Sequence, residues 1–505
     1  MAPHFFDLPT EVCDLIYLQC VLVGGGYVLD FNSNTLRGAG GHPIDLSFRL
    51  TCKRIASETK DLALSSNTLN FSTFHSPEHN AATGRFGLLI ENLADHRGSR
   101  IDRIEPHILS IPDNIWDDIA KAHPRFAQYV EFRKNRPDPR ITQEQVQQAN
   151  VGSPGSCGDT PSAFRDFIFS ALQTIMSHRS RLDPQQLADA CRGYDRAPTV
   201  RPEALVRHNP SPWTIIDNKR IEEILSQTDS EVWRLVNSKW HNYFPGLSPS
   251  TFKQSYSAAS TAIRFLKSLS TDSRMSIRSI VLNEDQRSVA FAECHGLGLI
   301  QYCQENVRLR IERRVSMWKV VFQTQGGAHG SCDVAPYDDN HLDPNKISYN
   351  VAIWILEALE LVPAGMPVGC FTLTLDGDHA CSEIFQTVIQ RDAAWQTAID
   401  LCLGQTLPAI PWDVRRRDTR NHRGYTQLSM GERDNSRYVF EAFPRAIQDI
   451  VAGNSIVKCG FELVDAAYDP ERLAKDNKKW TMAEWQEAWY AREKETFNPD
   501  PPLPT

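Results

Sequence analysis

The sequence predicts an α+β chain in which a small N-terminal helical module is followed by a larger body of mixed helices and strands. Three observations predict it. Apolar residues recur at helical spacing along much of the chain, short β-like runs lie between those stripes, and no regular strand–helix–strand cadence joins them. The 505 residues suggest about two to four domains. A hydrophobic share of 41% with 23% charged residues excludes wholesale disorder. The balance of 54 basic against 62 acidic side chains, net −8, excludes a dedicated nucleic-acid coat, which needs excess cation to meet phosphate.

Each element follows from local pattern. Leu8, Val12, Leu15 and Ile16 share one helical face, with Pro9 suited to a first turn and Glu11 to the positive helix end. Gly24 to Gly26 ends that helix, and Gly24 to Pro43 is expected as an exposed excursion. Phe48, Cys52, Ile55, Thr59 and Leu62 predict a second helix, and the alternation of Leu69, Phe71 and Thr73 predicts a strand. The expected division is a helical module over 1–75, a connecting helical region over 76–134, a polar linker or surface loop over 135–161, a mixed body over 162–497 and a tail over 498–505.

Within the body, Phe164, Ile168, Leu172, Ile175 and Met176 predict a helix from Ser162, and residues 182–212 read as loop. Three further stripes predict helices: Val232, Val236, Trp240 and Tyr243; Ala259, Ile263 and Leu266; and Ile311, Val315, Trp318 and Phe322. β-like runs lie at Ile277 to Leu282, Cys370 to Leu375, Arg437 to Phe443 and Ile456 to Val464. Lys478 to Phe497 is helical in pattern, and Trp480, Trp485 and Trp489 are expected to face the body.

Twelve cysteines occur without a C-x-x-C, the distribution of thiols in a reducing compartment, so cytoplasm or nucleus is expected. The N-terminus carries no export signal, and no window offers the roughly 20 clean apolar residues that span a bilayer. Cys294, His295, Cys303, His329 and Cys332 have the atoms for zinc at the wrong spacing, and a buried structural role is expected. Asp376-Gly377-Asp378-His379 reads as a turn and helix N-cap. Arg415, Arg416, Arg417, Arg420 and Arg423 read as a solvated loop, and Arg308, Arg310, Arg313 and Arg314 as salt-bridged surface. No catalytic motif occurs. An interaction protein with no catalytic residue, cofactor or metal is expected.

Residues 5–21, 44–64 and 65–74 carry a family pattern. Leu8, Pro9 and Glu11 open a helix that closes on Ile16 and Tyr17. Leu50, Thr51, Cys52, Lys53 and Ile55 follow, and Leu69 and Phe71 end the run. This resembles the F-box-like N-terminus of filamentous-fungal proteins, and residues 257–322 resemble a block found in many of them. The sequence departs from that pattern in the length of Gly24 to Pro43 and in carrying Arg54-Ile55 where a tryptophan often stands. The resemblance implies a module that docks on a Skp-type adaptor, and through it on a cullin ubiquitin ligase, with Leu8, Pro9, Glu11, Ile16 and Leu50 at or near the contact. The remainder would hold a protein substrate, acting by raised effective concentration. The alternatives are an intracellular scaffold that does not bind the adaptor, and an enzyme with an unrecognised site.

Overall fold

Alternating apolar residues at 69 and 71, 280 and 282, and 371, 373 and 375 build a sheet whose one face is buried. The computed structural model describes residues 5–103, 111–134, 160–183, 202–242, 250–323, 344–403 and 439–491, with Gln186. Leu46 and residues 228–229, 251, 441, 465–467, 482–483, 486 and 490 are excepted. Its seven strands are Tyr27–Asp30 (β1), Thr35–Gly38 (β2), Thr68–Ser72 (β3), Ser279–Glu284 (β4), Arg310–Ser316 (β5), Phe371–Asp376 (β6) and Val457–Cys459 (β7). They form one sheet in the order β2-β1-β3-β4-β5-β6-β7. β1 and β2 pair antiparallel, and all other neighbours are parallel. With helices as the larger share, the fold is α+β.

Register aligns the buried side chains in rows. Leu69, Ile280, Ile311 and Phe371 form one row, and Phe71, Leu282, Arg313, Leu373 and Val457 form the next. Helices Ala258–Ser268 and Pro344–Glu360 are packed into the core that covers this face, through Ala259, Ile263 and Leu266 and through Val351, Ile355 and Ala358. The opposite face is polar: Ser72, Asn283, Arg314, Thr374 and Lys458 share a row there, since successive side chains of a strand point to opposite faces.

Helices packed around the sheet and beside it include Thr10–Val21 (α1), Lys53–Glu58 (α2), Leu62–Ser66 (α3), Asn80–Arg103 (α4), Asp113–Ala122 (α5), Pro161–Ser177 (α6), Ser230–Asn242 (α7), Ala258–Ser268 (α8), Pro344–Glu360 (α9), His379–Ile384 (α10), Arg391–Leu403 (α11), Phe443–Val451 (α12) and Pro470–Asp476 (α13). α4 packs on α7 through Leu88, Leu89 and Leu93 against Val232, Val236 and Trp240. A Cβ at Gly84 would lie 2.2 Å from the Trp240 ring, so glycine lets the helices approach there. α5 and α6 close a separate helical core through Ile115, Trp116, Phe164, Phe167 and Ile168. Trp485 and Trp489 are fully buried against Trp395, Ala398 and Ile399 of α11, so the C-terminal tryptophans do face the body. Among the described residues no helix is long and apolar enough to cross a membrane, and the nine described cysteines are free thiols.

Several expectations are corrected. Gly24 to Pro43 is not a bare excursion: it holds the β1–β2 hairpin, joined to β3, with Phe31 buried and stacked on Phe74 at 3.5 Å. With the expected strand, β3, the first 75 residues thus contribute three strands, and these share a sheet with the body. Ile311 to Phe322 is not one helix but β5 followed by the π-helical turn Met317–Val321. A spacing of four fits two strand periods as well as one helical turn, and the inward residue between Ile311 and Val315 is the charged Arg313. The second N-terminal stripe splits into α2 and α3, because Cys52 caps α2 and Thr59 ends it. Phe443 opens α12 rather than ending a strand, and Ile456 to Val464 is strand only over Val457–Cys459. Residues 202–207, within an expected loop, form a helical turn. The expected 135–161 linker is described only at Thr160 and Pro161, which are the N-cap and first residue of α6, and residues 135–159, Tyr243, His329, Cys332, Arg415 to Arg423 and the 498–505 tail lie outside the described residues.

Candidate functional site

The N-terminal residues singled out by sequence occupy unlike positions. α1 buries Cys13 and Tyr17, four apart, against Ile55, with Phe5, Phe6, Leu8 and Phe48 around them. Tyr17 Oη donates to a Glu58 carboxylate oxygen at 2.6 Å, and this hydrogen bond to a carboxylate, with burial, pushes the phenol up to about 12. Leu8 is half-buried in this cluster rather than on a free edge, while Pro9 and Glu11 are exposed and Ile16 is half-buried. Leu50, in the turn before α2, is 80% exposed. Val12 and Leu15, which the sequence sets on one helical face with Leu8 and Ile16, are 39% and 62% exposed, and Leu22, which sequence reasoning did not select, is 43% exposed. Spacings of three and seven set them on the face of α1 opposite Cys13 and Tyr17. Their signal was present in the sequence, since α1 is apolar on more sides than its small core can cover.

The Cys294–His295 pair is built into the core. His295 Nε2 lies 2.8 Å from the Ala290 carbonyl, which can only accept, so Nε2 carries the proton. Its Nδ1 is then the acceptor, and because the Ser257 hydroxyl donates to Ser260 Oγ at 2.9 Å, Nδ1 takes its hydrogen from Ser260 Oγ at 3.1 Å. Burial first, and the nearby Arg313 charge second, hold this imidazole down to about 3. Burial likewise raises the Cys294 thiol well above its ordinary value and pushes Cys303, Cys381 and Cys459 up to about 12, which makes poor nucleophiles and ligands. Among the described residues no group of three His, Cys, Asp or Glu side chains is placed to hold a metal. Asp378 is the N-cap of α10, accepting from the Cys381 amide at 3.1 Å and from Trp318 Nε1 at 3.0 Å.

Arg313 is not surface. It is 1% exposed and donates twice to Glu284 Oε1, at 2.9 and 2.7 Å. Glu284 also accepts from the Ala258 and Ala259 amides at the start of α8, so one carboxylate ties β4, β5 and α8 together. Arg314, on the polar face, pairs with Glu312 at 2.9 Å. A second buried carboxylate, Glu357 of α9, accepts from the Ser162 amide at 2.8 Å and from Ser162 Oγ at 2.5 Å. Burial pushes this carboxyl up to about 7. Neither arrangement presents a reacting group to solvent. No family model matches the chain, nor does any curated protein or solved structure.

Proposed function

We propose that this is a non-enzymatic interaction protein that docks a Skp-type adaptor through its N-terminal helices and so serves a cullin ubiquitin ligase as a substrate-recognition subunit. The observation that supports this reading most is the apolar surface of α1 and the turn before α2. Four of the nine large apolar side chains exposed among the described residues, Val12, Leu15, Leu22 and Leu50, fall in the first fifty positions, and exposed apolar surface is what interaction sites are built from. The expected contact shifts accordingly from Leu8, which packs inward, towards Leu15 and Leu50. The inward position of Leu8 favours the second reading, a scaffold that binds no adaptor.

The test is retention of purified adaptor by immobilised full-length protein, by Leu15→Asp and by Leu50→Asp. Both sites are exposed, so the variants should keep the parent's thermal midpoint while retention falls about 100-fold, as at an interface hot spot. A parent that retains no adaptor, or variants that retain it undiminished, would favour the scaffold.

A further inference from the structure

A cavity of about 250 Å³ opens between α4, α6, residues 209–213 and the turn at 291–297. It belongs neither to the N-terminal surface nor to the sheet. Its walls are apolar where Phe291 and Trp213 line it, and charged where Arg97, Arg165 and Asp166 do. Two cations and one carboxylate face it. The Arg97 guanidinium bridges three acceptors of the 205–209 segment: Nε to the Leu205 carbonyl at 2.9 Å, Nη1 to Asn209 Oδ1 at 2.8 Å and Nη2 to the His208 carbonyl at 2.5 Å. It therefore shapes one wall and supplies charge from a fixed position. Arg165 lies 4.0 Å above the Phe291 ring and 4.0 Å from Glu357.

Phe291 is held there by an unusual backbone. Ala290 and Phe291 both adopt left-handed conformations, at φ 63 and 59, which non-glycine residues rarely take and which cluster at binding sites. The Ala290 carbonyl is engaged by His295 and the chain turns sharply, which sets the Phe291 ring beneath Arg165 in the cavity wall. Behind the wall, burial raises the carboxyls of both Glu357 and Glu293 above their ordinary values, while the Arg165 charge opposes that rise. Two guanidinium groups and an aromatic floor line the cavity, opposed there by the Asp166 carboxyl, which desolvation raises above its ordinary value.

We propose that this cavity binds a small organic anion, an aromatic or branched carboxylate whose charge faces Arg97 and Arg165 and whose apolar body lies against Phe291 and Trp213. The size suits a single-ring molecule, and an apolar wall with a few convergent polar groups is how small-molecule sites are built. Guanidinium groups recognise carboxylates by charge-assisted hydrogen bonds. The ligand class is independent of adaptor docking, so either reading can fail alone.

The experiment compares three isosteric probes on the full chain by ligand-observed NMR titration: benzoate, benzyl alcohol and benzylamine. Benzoate should bind about ten-fold tighter than the alcohol, and the amine most weakly, because charge complementarity sets the order. Arg165→Met should weaken benzoate about ten-fold and leave the alcohol within about two-fold. Asp166→Asn, at an exposed position and therefore tolerant of change, should tighten benzoate about three-fold by removing the opposing charge. If Arg165→Met fails to fold, the Asp166→Asn result decides. Tighter binding of benzylamine than of benzoate overturns the proposal. So does absence of binding by all three, or a benzoate-to-alcohol ratio unmoved by Asp166→Asn.

Discussion

The N-terminal helices and the central sheet bury apolar surface on different scales. The first rests on three buried side chains, Cys13, Tyr17 and Ile55. The second gathers rows from β1, β3, β4, β5, β6 and β7 with α8, α9 and α12 into one continuous cluster. A large cluster can enclose an ion pair such as Glu284–Arg313, because every remaining oxygen and nitrogen finds a partner within it. A small cluster cannot cover even its own helix, and α1 is left with leucines in water. The difference teaches that apolar residues of equal hydropathy are structural in one region and available in the other, according to how much chain surrounds them.

The comparison can be broken first at the ion pair. Glu284→Ala removes the acceptor for Arg313 and for two amides of α8, so chemical denaturation should show a loss of about 3–5 kcal/mol. Replacing both partners, Glu284→Leu with Arg313→Met, should cost less than the single change. If the double variant is worse, the pair stabilises beyond its own mutual rescue.

The pH response sharpens it next. Glu357 is raised to about 7 from an ordinary value of 4.5, so the stability due to its protonated form is complete below 4.5 and gone above 7. His295 is lowered to about 3 from 6.5, so its contribution is complete above 6.5 and lost as pH falls towards 3. The two slopes oppose each other between 4.5 and 6.5. Glu357→Gln removes one slope. Between pH 4.5 and 7.5 the stability difference should move in the variant's favour by about 3 kcal/mol, read from denaturation midpoints across pH. A difference independent of pH would show that Glu357 does not hold the extra proton.

A smaller effect tests whether the two regions melt together. Ile55→Ala should cost about 2 kcal/mol, the low end for such truncations, because a small core relaxes towards solvent. Hydrogen exchange should show the loss in the amides of α1 while those of β4 to β6 keep their protection. Equal loss in both would make them one cooperative unit. The smallest effect belongs to the exposed leucines: Leu15→Asp should change unfolding stability by less than about 0.5 kcal/mol, and a larger loss would place Leu15 in the core.

Legibility followed the same division. The stripe Ala259, Ile263 and Leu266 and the run Phe371 to Leu375 were readable because nearly every inward position is apolar. β5 was not, because its central inward residue is Arg313, and hydropathy alone places a charge outside. The hairpin at β1 and β2 was hidden by its glycines, which read as a break, although Gly25 and Gly26 at φ 79 and 74 serve to turn the chain into the strand. Of the named N-terminal residues, Pro9, Glu11 and Leu50 are exposed, and Leu8 and Ile16 are half-buried. The cavity had no local signature, since Arg97, Arg165 and Trp213 are brought together from three distant segments.

By itself, then, the sequence determined what depends on near neighbours. It set the amphipathic stripes of α6, α7 and α8, the cap at Asp378, the alternation in β3 and β6, the apolar run of β4, and the inward tryptophans of the C-terminal segment. Those features follow from periodicity and from hydrogen bonds spanning three or four residues. Only the tertiary structure decided that the N-terminal strands join the body's sheet, that Arg313 is buried while Arg314 meets water, and that Leu15 is free while Ile55 is enclosed. Each of these is set by surfaces contributed from far along the chain, because burial and the neutralisation of a buried charge depend on what is close in space.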